Sequence, residues 1–396
     1  MHAIHILSLA RKILGLAMIL TGIFGTVAQL AKGHTLRKDF GEGAAYAVAS
    51  QAGADMPRVE NAKAETRPVA GTLEATFRGI LAQAENPEWV GYSVDQVAGE
   101  RGLCCGNYNN NGICGTCRLE NDHNWISGTT ISEGQATGTV KLEAPRQLVI
   151  LYRLEAKKVM RIRVASENCA LDFGGLPFLW LTGVEPSQSI AVLESYVHAA
   201  PFETHGDHGL GQGALTAIAL HADSSADRML QTFVASDQPE ELRRQTAFWL
   251  GEARGKAGLD ALRQMAKSDP NSDVRAHVTF ALSVSHESGA IEEMIRMAHD
   301  DSSSHVRGQA LFWLAQKAGK KAVGTITGAI ENDPDTDVKK KAVFALSQLP
   351  KDEGVPKLIE VAQTNRNPEV RKQAMFWLGQ SNDPRALEFF EKVLTK

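Results

Sequence analysis

From Leu242 to the end of the chain, apolar and basic positions recur in one fixed pattern. Leu242-Arg243, Val274-Arg275, Val306-Arg307, Val338-Lys339 and Val370-Arg371 follow one another at intervals of 32 residues. Six positions after each aliphatic residue stands a phenylalanine: Phe248, Phe280, Phe312, Phe344 and Phe376. Two further on stands a leucine, from Leu250 to Leu378, and five before stands Asp237, Asp269, Asp301, Asp333 or Asn365. A five-fold match at constant spacing marks an internal repeat of 20–50-residue type, which stacks into a solenoid. Each unit is expected to hold two helices. The first carries apolar pairs such as Leu262 and Ala266, or Ile326 and Ile330. A turn with Asp or Asn follows, and that residue is expected to cap the second helix by accepting its orphan N–H groups. One such hairpin cannot bury its apolar face alone, so stacked neighbours must supply the core. Residues 187–222 read as a degenerate first unit and 384–396 as a last single helix, giving a repeat region over 187–396.

The pattern changes upstream. Residues 71–186 read as a small, mostly β domain. Leu148, Ile150, Tyr152 and Leu154 alternate with other residues, as do Met160, Ile162 and Val164 around Arg161 and Arg163. The two runs predict a hairpin about Glu155–Lys158 with one buried face. Residues 32–70 are rich in Ala, Gly and charge without a period, and are expected to be a flexible linker. Residues 1–31 carry Arg11 and Lys12 before the uncharged run Ile13–Val27, with small residues at Thr26-Val27-Ala28. That is the form of an export signal. The apolar stretch extends to Ala31, which also suits a membrane anchor, and a buried core helix is the third reading. The first two place the remainder outside the cytoplasm, in the periplasm or anchored and facing outward.

Two segments carry a resemblance. Asp269–Ser283 reads D-P-x-x-D-V-R-x-x-x-x-F-A-L-S, and Asn367–Gln380 reads N-P-E-V-R-K-Q-A-M-F-W-L-G-Q. Both resemble the HEAT-like repeats also found in phycobilin lyases, over about residues 205–396. The resemblance implies an α-α superhelix and a binding role, and it does not imply lyase activity.

On a helical wheel of the second helix, the aliphatic residue before the basic one, the residues four and seven on, and the leucine share one stripe. The phenylalanine falls almost opposite. It is therefore read either as an exposed ladder on the concave face or as a ring covered by the next repeat. In the exposed reading Phe248, Phe280, Phe312, Phe344 and Phe376 bind a protein or peptide partner, as apolar surface of that kind does. Arg244, Lys340 and Lys372 lie beside them, with Gln245, His277, Gln309, Lys341 and Gln373 flanking. One position after each Phe stand Trp249, Ala281, Trp313, Ala345 and Trp377. Large beside small suits interdigitation, so the tryptophans read as core. The basic residue and the Asp before the helix are expected to form a structural ladder of charge-assisted bonds.

Five cysteines stand in the chain: Cys104, Cys105, Cys114, Cys117 and Cys169. Three uses compete for them: disulfides, which suit an exported chain; a zinc site, weakened by having one C-x2-C pair; and a redox pair at Cys114 and Cys117, without the strand-to-helix context that lowers a thiol pKa. The pairing is not legible in the sequence. His205-Gly-Asp207-His208 reads as a junction loop, and His277, His299 and His305 as solvated surface residues. No Walker loop, dinucleotide fingerprint, nucleophile elbow or HExxH occurs, so no cofactor, metal or catalytic residue is assigned. The net charge of −4 and pI near 6.3 lack the basic excess of a nucleic-acid binder. A membrane contact would come only through the N-terminal segment. The alternative to a binding scaffold is an enzyme or redox protein using the cysteine cluster, with the solenoid as its docking arm.

Overall fold

The computed structural model describes residues 56–98, 102–104, 107–109, 116–120, 145–198 and 209–395. They belong to one compact unit. The segment 1–31 lies outside the described residues, and so do Cys105, Cys114, the side chain of Cys104, and the His205–His208 loop.

Three short strands open the fold around a helix. These are β1 (Arg58–Glu60), β2 (Ala64–Pro68) and, after α1 (Leu73–Gln83), β3 (Glu88–Asp95). Next come β4 (Gly102–Cys104), β5 (Asn107–Asn109), β6 (Thr116–Arg118), β7 (Gln147–Glu155), β8 (Lys158–Ser166), β9 (Ala170–Asp172) and β10 (Phe178–Thr182). A five-stranded sheet has the order β2-β10-β3-β7-β8, and a three-stranded parallel sheet the order β1-β9-β6. Of the linker expected over 32–70, residues 32–55 lie outside the described residues, and Arg58–Glu60 and Ala64–Pro68 form strands, one in each sheet. Strand β2 is exposed along its whole length and joins β10 through backbone bonds alone. Such a strand leaves no apolar alternation to read.

Strands β7 and β8 form the expected hairpin, with Ala156 and Lys157 at φ 50° and 60°. Two positive-φ central residues make the type I′ turn that matches strand twist. The expectation of one buried face is corrected, since both faces are covered. Leu148, Ile150, Tyr152 and Leu154 pack toward the helices, while Val149 and Leu151 pack with Trp89, Phe173, Phe178 and Trp180 under the three-stranded sheet. Met160 leaves the expected stripe and is exposed. The register shifts between Arg153 and Leu154, whose partners are Arg161 and Val159, so Met160 is the extra residue of a bulge.

Two helices, α2 (Pro186–Val197) and α3 (Leu210–Leu220), link the sheet to the repeats. Their buried residues share one core with the sheet and with every later helix. Then follow α4 (Ser225–Phe233), α5 (Glu240–Ala253), α6 (Gly255–Ser268), α7 (Ser272–Val284), α8 (Gly289–Asp300), α9 (Ser304–Ala318), α10 (Val323–Asn332), α11 (Thr336–Ser347), α12 (Lys351–Thr364), α13 (Pro368–Gln380) and α14 (Pro384–Leu394). The five second helices are α5, α7, α9, α11 and α13. Their aliphatic and leucine positions are all buried, as are Leu262, Ala266, Ile326 and Ile330 on the first helices. Second helices pack directly on one another along the row, whereas first helices touch their counterparts much less. The row therefore curves with the second helices on its inner side.

Candidate partner-binding face

The inner side of the row presents a continuous line of aromatic rings. Phe248 stacks on Phe280 with centroids 6.0 Å apart and planes at 13°, and Phe312 stacks on Phe344 at 5.8 Å and 4°. Trp313 bridges these two stacks, 4.9 Å from Phe280 and 4.9 Å from Phe312. Trp377 extends the second stack, 4.8 Å from Phe344 and 5.0 Å from Phe376, and Trp249 closes the other end against Phe248. Eight rings thus touch in series. Neither extreme expected for the phenylalanines holds. Phe248, Phe280, Phe312 and Phe344 are half-buried, and Phe376 is 53% exposed. Each second helix is covered on both flanks by its neighbours, so a ring opposite the core stripe is still gripped edge-on.

The tryptophans depart from the core reading in two of three cases. Trp249 is buried, while Trp313 and Trp377 are half-buried members of the line. The alternating Ala281 and Ala345 are fully buried and leave room for each indole to lean on the preceding phenylalanine. The two-repeat alternation therefore shapes the surface itself.

Polar side chains border the rings. Arg244 faces Glu241 at 3.4 Å and Glu240 at 3.9 Å, and Gln245 donates to Glu241. Lys340 pairs with Asp337 at 2.7 Å. Lys341, Phe344, Gln373 and Trp377 line one open groove with His305 and Asp337, and Lys372 is exposed. His277 is corrected from a solvated surface residue. Its ring is half-buried against Phe280. Burial first, then the Arg244 charge, push its imidazole down to about 4, against a hydrogen bond to the Arg244 backbone. His299 and His305 are exposed, as expected.

A second ladder runs through the buried turns. Arg275 Nε and Nη2 reach Asp301 at 2.9 and 3.0 Å, and Arg307 reaches Asp333 at 2.8 and 3.0 Å. Arg243 approaches Asp269 at 3.1 Å through a poorly aligned Nε, with a hydrogen bond from Nη2 at 3.4 Å. Each arginine also donates to backbone carbonyls of its own turn, as Arg307 does to Asp301. The expected role of the acid is corrected on two counts. It belongs to the next repeat, not to the arginine's own. It also ends the first helix instead of capping the second, because Asp269, Asp301 and Asp333 occupy C-cap positions and accept an N–H two residues on. Asn271, Asp335 and Asn367 supply the caps of their second helices. Burial pushes the Asp301 carboxyl up, but the Arg275 bonds and the Ser303 N–H outweigh it and hold the group below its ordinary value. At the fourth step both partners change together, to Lys339 and Asn365, and Lys339 bonds the Glu331 carbonyl instead.

Elsewhere, Cys117 and Cys169 are fully buried in the core between the sheets, and neither is a free thiol. One polar chain crosses the opposite core: Tyr152 to Tyr92 at 2.8 Å, Tyr92 to Ser189 at 2.8 Å, Ser189 to His221 Nε2 at 2.9 Å, and His221 Nδ1 to the Ala217 carbonyl at 2.6 Å. Nδ1 faces an acceptor and so carries the proton, which leaves Nε2 to accept from Ser189. All four side chains are sealed from solvent, so the serine and histidine join sheet to helices and offer no surface for a substrate. Sequence reading missed this chain because its members are far apart along the polypeptide. Among the described residues no cluster of three or more His, Cys, Asp or Glu could hold a metal, and no helix is long and apolar enough to cross a membrane.

Residues 226–315 and 324–396 match the sequence model of HEAT repeats, so the C-terminal half of the chain is built of HEAT repeats. No curated protein is significantly similar to the chain. Among solved structures, YibA of Escherichia coli is 20% identical over 53% of this chain and 79% of its own, with a TM-score of 0.33. Kap95p, solved with RanGDP, is 17% identical over 53% of this chain and 32% of its own, with a TM-score of 0.32. The CpcE–CpcF complex of phycocyanin lyase from Nostoc sp. PCC7120 is 18% identical over 52% of this chain and 80% of its own, with a TM-score of 0.27.

Proposed function

We propose, from the HEAT repeats of residues 226–396, that this chain is an exported scaffold that holds a protein or peptide partner against the inner face of its helical row. The observation that carries the reading is the eight-ring line, apolar, contiguous and open to solvent on one side. Contiguous apolar surface of that kind marks interaction sites in soluble proteins. Half-buried rings already fixed by stacking lose little conformational freedom on binding, which suits them as anchors. Export is supported by the charge and apolar pattern of residues 1–31. It is also supported by Cys117 and Cys169, which we read as disulfide staples because both are buried in the small second core and neither is a free thiol.

The test is capture of a specific partner from an envelope extract by the full chain, repeated with Phe312→Ser and Phe376→Ser. The proposal expects one partner to be lost from both variants while their circular dichroism is unchanged. Retention of every captured protein by both variants would remove the rings from the binding surface.

A further inference from the structure

The occupant of this face can be narrowed by what the borders of the aromatic line leave unpaired. The inference rests on the inner face being the binding surface. Two accessible donors at its C-terminal end have no acceptor among the described residues. Lys341 makes no ion pair and the Gln373 amide makes no hydrogen bond. The Gln309 amide is likewise uncommitted. The Lys341 side chain lies across Gly308 of the preceding repeat: a Cβ on Gly308 would lie 2.3 Å from its Cδ and 3.2 Å from its Nζ. The adjoining Lys340 is already matched by Asp337. The cationic charge of Lys341 thus stands unmatched in the groove it shares with Phe344 and Trp377.

The repeat also sets a length scale. Trp249 and Trp313 are joined by ring steps of 5.1, 6.0 and 4.9 Å, and Trp313 and Trp377 by steps of 4.9, 5.8 and 4.8 Å. The path turns from ring to ring, so these steps bound the direct separation from above, and at about 3.3 Å per residue an extended chain covers one two-repeat step with at most roughly four to five residues. Only an even spacing keeps side chains on one face of a strand, which selects four. Free amides repeat at the same interval, at Gln309 and Gln373. A helical partner has its backbone groups satisfied internally and can meet such amides only with side chains. An extended segment presents both carbonyls and N–H groups to them.

We infer that the inner face binds an extended peptide segment of a partner, with apolar side chains four residues apart on the aromatic line and an acidic side chain over Lys341.

The experiment is selection of a random twelve-residue peptide library displayed on phage against the folded full chain, followed by affinity measurement with the synthetic winners. The expected winners carry apolar or aromatic residues four apart and at least one Asp or Glu, and they tolerate proline between the anchors. Lys341→Glu then weakens binding on the order of tenfold. Gln309→Ala and Gln373→Ala each weaken it about fivefold, the effect of one hydrogen bond. Phe312→Ser abolishes it, and circular dichroism shows all four variants folded. Winners that form amphipathic helices and lose binding on proline insertion, or that are basic and bind better to Lys341→Glu, would overturn the inference while leaving the peptide-binding scaffold standing. No enrichment dependent on Phe312 would overturn both.

Discussion

Two ladders run along the row of second helices with the same period, and they end in different states. The Arg–Asp ladder is sealed: the side chains of Asp269, Asp301 and Asp333 are 2–5% exposed, and each is bonded both to an arginine and to a turn N–H. The aromatic ladder is half-open, with rings satisfied on one edge and bare on the other. Periodicity is therefore no guide to role, since a solenoid must repeat its struts as faithfully as its contact surface. Saturation separates them. A residue whose bonding capacity is used up within the fold holds the fold. One with capacity left over can hold something else.

The largest effect that would break this comparison is at the sealed ladder. Asp301→Ala leaves the Arg275 guanidinium without its carboxylate in a buried turn. Orphaning a buried charge costs about 3–5 kcal/mol, so the variant should lose much of the stability of the second and third second helices in chemical denaturation. Loss of under about 1 kcal/mol would place this ladder among ordinary surface pairs.

Acid supplies the next effect. His221 is pushed down to about 4, first by burial and against its bond to the Ala217 carbonyl. Its folded pKa lies below the unfolded value near 6.5, so the unfolded chain takes the proton first. Stability is complete above about pH 6.5 and falls as pH drops toward 4, by roughly 3 kcal/mol from this group. His277 adds to the loss in the same window. Protonating His221 at Nε2 also reverses the hydroxyl chain and leaves Tyr152 with a donor and no acceptor. His221→Gln should flatten the pH dependence of melting between pH 6.5 and 4, even with a lower melting point at pH 7. An unchanged slope would mean the buried chain is not the acid-sensitive element.

The open ladder should respond less. Phe312→Ser removes a half-buried ring stacked on Phe344, a cost of about 1–2 kcal/mol, and Phe376→Ser should cost under about 1 kcal/mol. Smallest is a repair. Lys339→Arg with Asn365→Asp restores the missing strut, and should stabilise by about 1 kcal/mol more than the two single changes combined, as a double-mutant cycle would show. Additive singles would mean that this step cannot form the pair.

The solenoid was legible because its signal is local and repeated. Apolar spacing fixed the core stripe, and Leu242, Val274, Val306, Val338 and Val370 are all buried. What was misread depends on neighbours that no single repeat contains. Asp301 looks like a cap for the helix that follows it, and only stacking reveals that it receives Arg275 from the repeat before. The phenylalanines lie opposite the core on a wheel, yet adjacent helices close over their edges. The sheet region was less legible for a different reason. Strands β1, β6 and β9 have three residues each, too few to establish a period. The second buried face of β7 follows from their presence.

The measurement that tests the two-ladder account most directly is denaturation of the full-length Asp301→Ala and Phe376→Ser variants, followed side by side by circular dichroism. The account predicts a loss of several kcal/mol for Asp301→Ala and a curve close to the parent for Phe376→Ser. The reverse order would contradict it: the rings would then be the struts, and the buried carboxylates dispensable.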